Sequence, residues 1–234
     1  MKLMVNKAIF KRFPQLSLGI LVLKNTDNRG SSQELAEMIV KESSRINSQF
    51  GLEALSENPR IGVWREAYRS FGAKPKDYNS SVESLYRRIL KGEAVRHINK
   101  IVDIYNYISI KYMVPAGGED LDKIKGDVHL TIAGESEPQV LLLGDKEEKS
   151  PHRGEVIYKD EVSAICRRFN WREADRTKFT EETKNAVLVV EGLPPVAKEE
   201  IGQILGELKE LIGHYCSGVI TQFMLDKDNP EAKF

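Results

Sequence analysis

INKIVDIYNYISIKYMVPAGGEDLDKIKGDVHL, residues 98–130, changes its hydrophobic period at Pro115. Before the proline, Ile101, Ile104, Tyr105 and Ile108 recur every three or four residues, the stripe of an amphipathic helix over residues 99–112. After it, VHLTIA (residues 128–133) alternates polar with apolar, as a strand with one buried face does. Downstream, residues 139–143 (QVLLL), 156–158 and 162–168 are short and strand-like, and AVLVVE (residues 186–191) is an apolar run expected to be a buried strand. Upstream, LSLGILVLK (residues 16–24) reads as another buried strand. Ser31 or Ser32 then caps a helix reaching about Phe50, with Glu34 in its first turn. Residues 61–71 form a second helix ended by Gly72, and Ser80 or Ser81 caps a third through Leu90. Over residues 198–214, Ile201, Leu205, Leu208 and Ile212 share one helical face, and residues 219–225 suit a closing strand. The expectation is an α+β fold with a β-rich centre over about residues 128–190, flanked by helices.

Composition narrows the function. The chain has 234 residues, with 35 basic side chains against 35 acidic ones. No global positive field draws it to nucleic acid, so any RNA contact has to come from a local patch or a site for a terminal nucleotide. Cys166 and Cys216 lie in apolar-rich stretches without a CxxC partner, which argues against zinc and disulfides and for buried thiols in the cytosol. The four histidines are scattered, so no metal and no cofactor are expected. The first residues lack the apolar core of a secretory signal, and no run of about 18 apolar residues exists, so a cytoplasmic protein without a membrane span is expected.

Several stretches carry chemistry. Between Arg167 and Arg176, four arginines interleave with Phe169 and Trp171, a mixture suited to stacking on a base and gripping phosphate. Lys74 and Lys76 flank Pro75 near Tyr78 and can contact a phosphate backbone. Gly117-Gly118 is too short for a nucleotide-binding fingerprint, and suits a close backbone approach or a tight turn. Cys166, in an apolar run with no adjacent histidine, is not expected to be a nucleophile.

Taken in order, these motifs resemble a family. Val102, Asp103, Asn106, Tyr107, Pro115 and Asp120 match, without a gap, the B3 stretch of the phenylalanyl-tRNA synthetase β chain. Thr180-Glu181-Glu182-Thr183 followed by Ala186-Val187-Leu188-Val189 is similar to its B4 segment. YRSFGAKPK (68–76), VESLYRR (82–88), PAGG (115–118), GEVIY (154–158) and CRRFNWREADRT (166–177) resemble free-standing B3/B4 proteins. The resemblance implies one B3/B4-like domain: an N-terminal helical part with a buried strand (1–94), a core (95–192), and a C-terminal helix and strand (193–234). It also implies a metal-free esterase that removes a wrong amino acid from the 3′ end of a tRNA.

On that resemblance, Asn106, Asn170, Asp175 and Thr177 are the candidate catalytic groups. Glu155, Arg168, Arg172, Arg176, Gly117 and Gly118 are expected to bind substrate, with Glu155 and Asp175 meeting its ammonium. Lys74, Lys76, Arg69 and Arg88 are expected to contact tRNA. Two departures stand out: Gly117 occupies the place of the synthetase pocket histidine, and Asp175 that of its pocket glutamate. A non-catalytic module binding tRNA or an amino-acid-like ligand is the alternative, and a partner-binding scaffold a third.

Overall fold

The computed structural model describes residues 1–234. In chain order its elements are β1 (Lys2–Val5), α1 (Lys7–Arg12), β2 (Ser17–Lys24), α2 (Gln33–Gln49), α3 (Pro59–Ser70), α4 (Ser81–Leu90), α5 (Lys100–Tyr112), β3 (Ala116–Asp120), β4 (Val128–Ile132), β5 (Val156–Lys159), β6 (Ala164–Arg167), β7 (Arg172–Glu173), β8 (Ala186–Gly192), α6 (Lys198–Cys216), β9 (Val219–Leu225) and β10 (Glu231–Lys233). The fold is α+β, with strands in two sheets ordered β10-β1-β4-β5-β6-β7 and β3-β8-β2-β9.

The four-stranded sheet is sandwiched. Alternation along β8 sends Ala186, Leu188 and Val190 into a core shared with α2, α4, α5 and α6. Its opposite face sends Val187 and Val189 toward the six-stranded sheet, where Leu3, Val128, Leu130, Val156 and Tyr158 join a second core. The run at residues 186–191 lacks polar alternation because both of its faces are covered. A third, small cluster of Ala133, Val140, Leu142, Ile157, Ala164 and Ala174 covers the far face of the six-stranded sheet. Side-chain caps begin the helices where expected: Ser32 accepts from the Leu35 N–H, Ser80 from Glu83 and Asn99 from Val102.

Three differences from the sequence reading have physical causes. The first is β3: of the turn or close backbone approach expected at Gly117-Gly118, the structure has the close approach, made by a strand paired antiparallel with β8. A Cβ at Gly118 would come within 2.2 Å of the Val187 carbonyl oxygen, so only glycine permits this register. The second is residues 139–143, expected as a strand, which make only the isolated bridges Val140–Lys149 and Leu142–Ala174. The third is the pairing of β1 with β4 from the middle of the chain and with β10 from its far end, contacts that a four-residue stretch does not announce. The sheets interleave early and late segments, since β2 lies between β8 and β9. No helix is long and apolar enough to cross a membrane.

Candidate functional site

A cavity of about 510 Å³ opens where β3, the edge of the four-stranded sheet, faces β6 and β7 of the six-stranded one. Helix α4 supplies Ser81, Ser84, Leu85 and Arg88, positions that repeat at three- and four-residue spacing on one helical face. Helix α5 supplies Tyr105 and Asn106, β3 supplies Ala116 to Glu119, and the turn between β6 and β7 supplies Phe169 to Trp171.

That turn is unusual. Arg168 and Phe169 both take left-handed backbone conformations (φ 48° and 67°), which is costly for residues with a Cβ. The burial of Phe169 holds the turn. Its ring sits edge-on to Phe13 and Trp64, at centroid distances of 5.6 and 5.1 Å. Asn170 follows, and its carboxamide is fixed on both sides. The Tyr68 hydroxyl donates to Oδ1 at 2.8 Å, and Nδ2 donates to Glu191. Glu191 also accepts from the Tyr158 hydroxyl at 2.5 Å. The Asn170 carbonyl accepts the Ser81 N–H at 2.9 Å, tying the turn to the start of α4.

Charge is graded through the cavity. Partly or fully exposed cations, Arg87, Arg88, Lys91 and Arg172, stand at its rim. Glu93, paired with Arg88, is exposed among them, whereas Glu119 and Glu191 are buried in the wall and Glu173 is half-buried. Burial raises Glu173 and Glu191 to about 7; a Gly118 N–H opposes the rise at Glu173, and hydrogen bonds from Tyr158 and Asn170 oppose it at Glu191. Glu119 is held well above the usual carboxylate range, first by burial and then by the charge of Glu173, against the pull of Thr177 and Arg176. Burial, with these three glutamates, also pushes the Cys166 thiol well up, away from the thiolate form that a nucleophile needs.

The structure brings Asn106, Gly117, Gly118, Asn170, Arg172 and Arg88 together around this cavity, although they come from separate segments. Asn106 is half-buried in the wall, and its carboxamide has no protein hydrogen-bond partner. Arg172 lies over Trp171 with its guanidinium carbon 4.6 Å from the ring centre, and pairs with Asp145 at 2.6 Å.

Other candidates lie outside the lining. Glu155 was expected to meet a ligand. It is buried instead, gripped by both Arg167 nitrogens at 2.9 and 2.8 Å and by the Arg168 N–H at 3.1 Å. The Arg168 guanidinium is buried 3.8 Å from the Tyr78 ring centre and 4.6 Å from that of Trp171. Arg176 pairs with Asp160 at 2.5 Å, Asp175 pairs with Lys178 at 2.6 Å, and Thr177 is fully buried. The base-stacking expectation fails for Phe169, whose ring belongs to the core. Lys74, Lys76 and Arg69 line a separate shallow basin with Arg65.

Sequence reasoning missed Tyr105, Glu119, Glu173 and Glu191. The signal for two of them was present: Glu191 closes an otherwise apolar strand, and Glu119 follows a glycine pair in a stretch that turns out to be buried. No group of three or more histidine, cysteine or acidic side chains is arranged to hold a metal ion.

The B3/4 domain model matches residues 63–206. The phenylalanine–tRNA ligase beta subunit of Staphylococcus saprophyticus is 25% identical over 144 residues, 62% of this chain and 18% of that one. The corresponding subunit of Bordetella pertussis is 31% identical over 93 residues, 40% of this chain and 11% of that one. The matches therefore span less than a fifth of the length of these relatives. An N-terminal fragment of the phenylalanyl-tRNA synthetase beta-subunit from Pyrococcus horikoshii aligns with a TM-score of 0.49 at 12% identity, over 95% of this chain and 53% of that one.

Proposed function

The chain belongs to the B3/4 domain family, and on that premise we propose that it is an aminoacyl-tRNA deacylase acting in trans, hydrolysing the ester of a mischarged tRNA. The observation that carries the reading is the charge distribution of the inter-sheet cavity, with a rim where four cations outnumber one exposed acid, Glu93, and with three further carboxyls in its wall. An aminoacylated 3′ end has the complementary order: phosphodiesters, then a ribose ester, then an ammonium. Arg88 and Lys91 meet the phosphates as charge-assisted donors, while Arg172 stays paired with Asp145. The amino acid, with its cationic ammonium, lies at the carboxyl end of the cavity. Gly117 and Gly118 leave the β3 wall without side chains beside the ester.

Hydrolysis adds water to the ester carbonyl, and the bond to the ribose oxygen breaks. The products are the free amino acid and a ribose hydroxyl. In this reading Asn106, a lining residue whose carboxamide has no protein partner, orients that water. Asn170, pinned by Tyr68 and Glu191, keeps the opposite wall in register with α4. The test is single-turnover hydrolysis of a panel of correctly and wrongly charged tRNAs. At least one should be cleaved faster than it decays alone, and a panel that decays only spontaneously overturns the reading. A non-catalytic tRNA- or amino-acid-binding module is the second reading, favoured by the absence of any histidine from the cavity lining.

A further inference from the structure

We propose that the Glu119–Glu173 end of the cavity is a subsite for a positively charged amino-acid side chain, an ammonium or guanidinium of the lysine, ornithine or arginine type. The inference rests on the proposed function for the tRNA that carries the amino acid, and stands apart from it for the chemistry of the side chain.

Four carboxyls line the cavity; exposed Glu93 pairs with Arg88 at the rim, and Glu191 is accounted for because Tyr158 and Asn170 donate to its two oxygens. The other two are not. Glu173 receives only the Gly118 N–H, at a long 3.4 Å. Glu119 is 5% exposed, and its Oε2 is buried with no hydrogen bond formed, its neighbour being the Thr177 hydroxyl, which is buried and unpartnered too. A buried polar atom left in that state is costly unless a ligand completes it.

A second observation comes from a different element. Tyr105, on α5, is 8% exposed and lines the same cavity within electrostatic reach of Glu173 and Glu119, and its hydroxyl makes no hydrogen bond to the protein. Two elements thus bring to the lining of one space residues with a polar atom that lacks a protein hydrogen bond.

The protein supplies no counterion there. Arg176, the cation whose charge acts on Glu119, is committed to Asp160, and Arg172 to Asp145 and the Trp171 ring. Two neighbouring carboxyls without a cation cannot both ionise readily, so they retain protons. A cation with two or more N–H donors would replace those protons, satisfy the orphan oxygen and let both carboxyls ionise. An apolar side chain of equal length would leave them unpaired, which is how a polar pocket rejects a hydrocarbon isostere. Gly117 fits the same design: a Cβ there would stand 2.9 Å from Glu173 Oε1 and displace the carboxyl from the cavity.

Isothermal titration of the full chain with L-lysinamide and with L-norleucinamide tests this, since both carry the α-ammonium and differ at the side-chain cation. Lysinamide is expected to bind at least about tenfold more tightly, the discrimination of a site built around a polar group. In Glu119→Gln and in Glu173→Gln the ratio should fall to within about threefold. Equal affinities, no measurable binding of either amide at millimolar concentration, or a preference that survives in both variants would each overturn the subsite. Should one variant fail to fold, the other and the comparison in the unmodified chain still decide. Lysinamide preference without hydrolysis of any aminoacyl-tRNA removes the deacylase reading alone. Hydrolysis without that preference removes the subsite alone.

Discussion

Glu155 and Glu119 are both buried carboxyls near the β6–β7 edge of the molecule, and their surroundings are opposite. Glu155 receives two guanidinium N–H groups from Arg167 and a backbone N–H from Arg168. Those partners hold it below the usual carboxylate range despite its burial. Glu119 has an oxygen with no partner and a second carboxyl as neighbour, and it is held well above that range. Burial alone therefore does not mark a functional acid. An acid whose hydrogen bonds are all met internally serves the fold, whereas one left incomplete at a cavity wall is prepared for something from outside.

The largest expected effect breaks the comparison on the Glu155 side. Glu155→Gln leaves Arg167 buried and unpaired, and should destabilise the protein by roughly 3–5 kcal/mol. Glu119→Gln, which removes a carboxyl that has no cation, should leave stability unchanged or higher. Urea denaturation of both variants checks this, and equal losses would erase the distinction between the two acids.

Next in size is the Asn106 carboxamide. If it orients the attacking water, Asn106→Ala should slow single-turnover deacylation about a hundredfold, the usual cost of one transition-state donor. Stability should barely change, since the carboxamide is not hydrogen-bonded to the protein. Rapid-quench measurement with a charged tRNA reads the rate.

A smaller effect appears in the pH dependence of stability. Glu173 and Glu191 titrate at about 7 when folded and near 4.5 when unfolded. The folded state then binds more protons between those values, so their contribution is full below about 4.5 and is lost as pH rises through about 7. Glu155 and Asp160, both lowered, act in the other sense and lose their contribution as pH falls through their depressed folded values. Thermal melts should therefore show stability rising as pH falls from 8 toward 5 and dropping in stronger acid. Glu191→Gln should flatten the neutral limb alone.

The smallest effect concerns the shallow basin. Lys74→Ala with Lys76→Ala should weaken tRNA binding and reduce the salt slope by at most about two charges, without changing the single-turnover rate. Filter binding at several salt concentrations reads it.

Much of the fold was legible because its signals are local. Ser32, Ser80 and Asn99 cap their helices, and the change of period at Pro115 separates α5 from the strands after it. What was illegible depends on distant partners. Residues 139–143 look like a strand but find only isolated bridges, whereas β1 forms because residues from the far end of the chain lie beside it. The site follows the same division. Asn106, Asn170 and the glycine pair were visible in ordered motifs. Whether an acid or an arginine is free or committed depends on pairings such as Arg167–Glu155 and Arg176–Asp160, which arise only in the folded chain.

The claim that the inter-sheet cavity receives the charged 3′ end is met most directly by hydrogen–deuterium exchange. The ligand is a tRNA carrying its amino acid through an amide in place of the ester, so that it binds without turnover. Slowed exchange is expected in β3 (Ala116–Asp120), at the start of α4 and in the turn holding Asn170. Slowed exchange confined to the basin of Lys74 and Lys76, with β3 and the Asn170 turn unchanged, would contradict the assignment of the cavity.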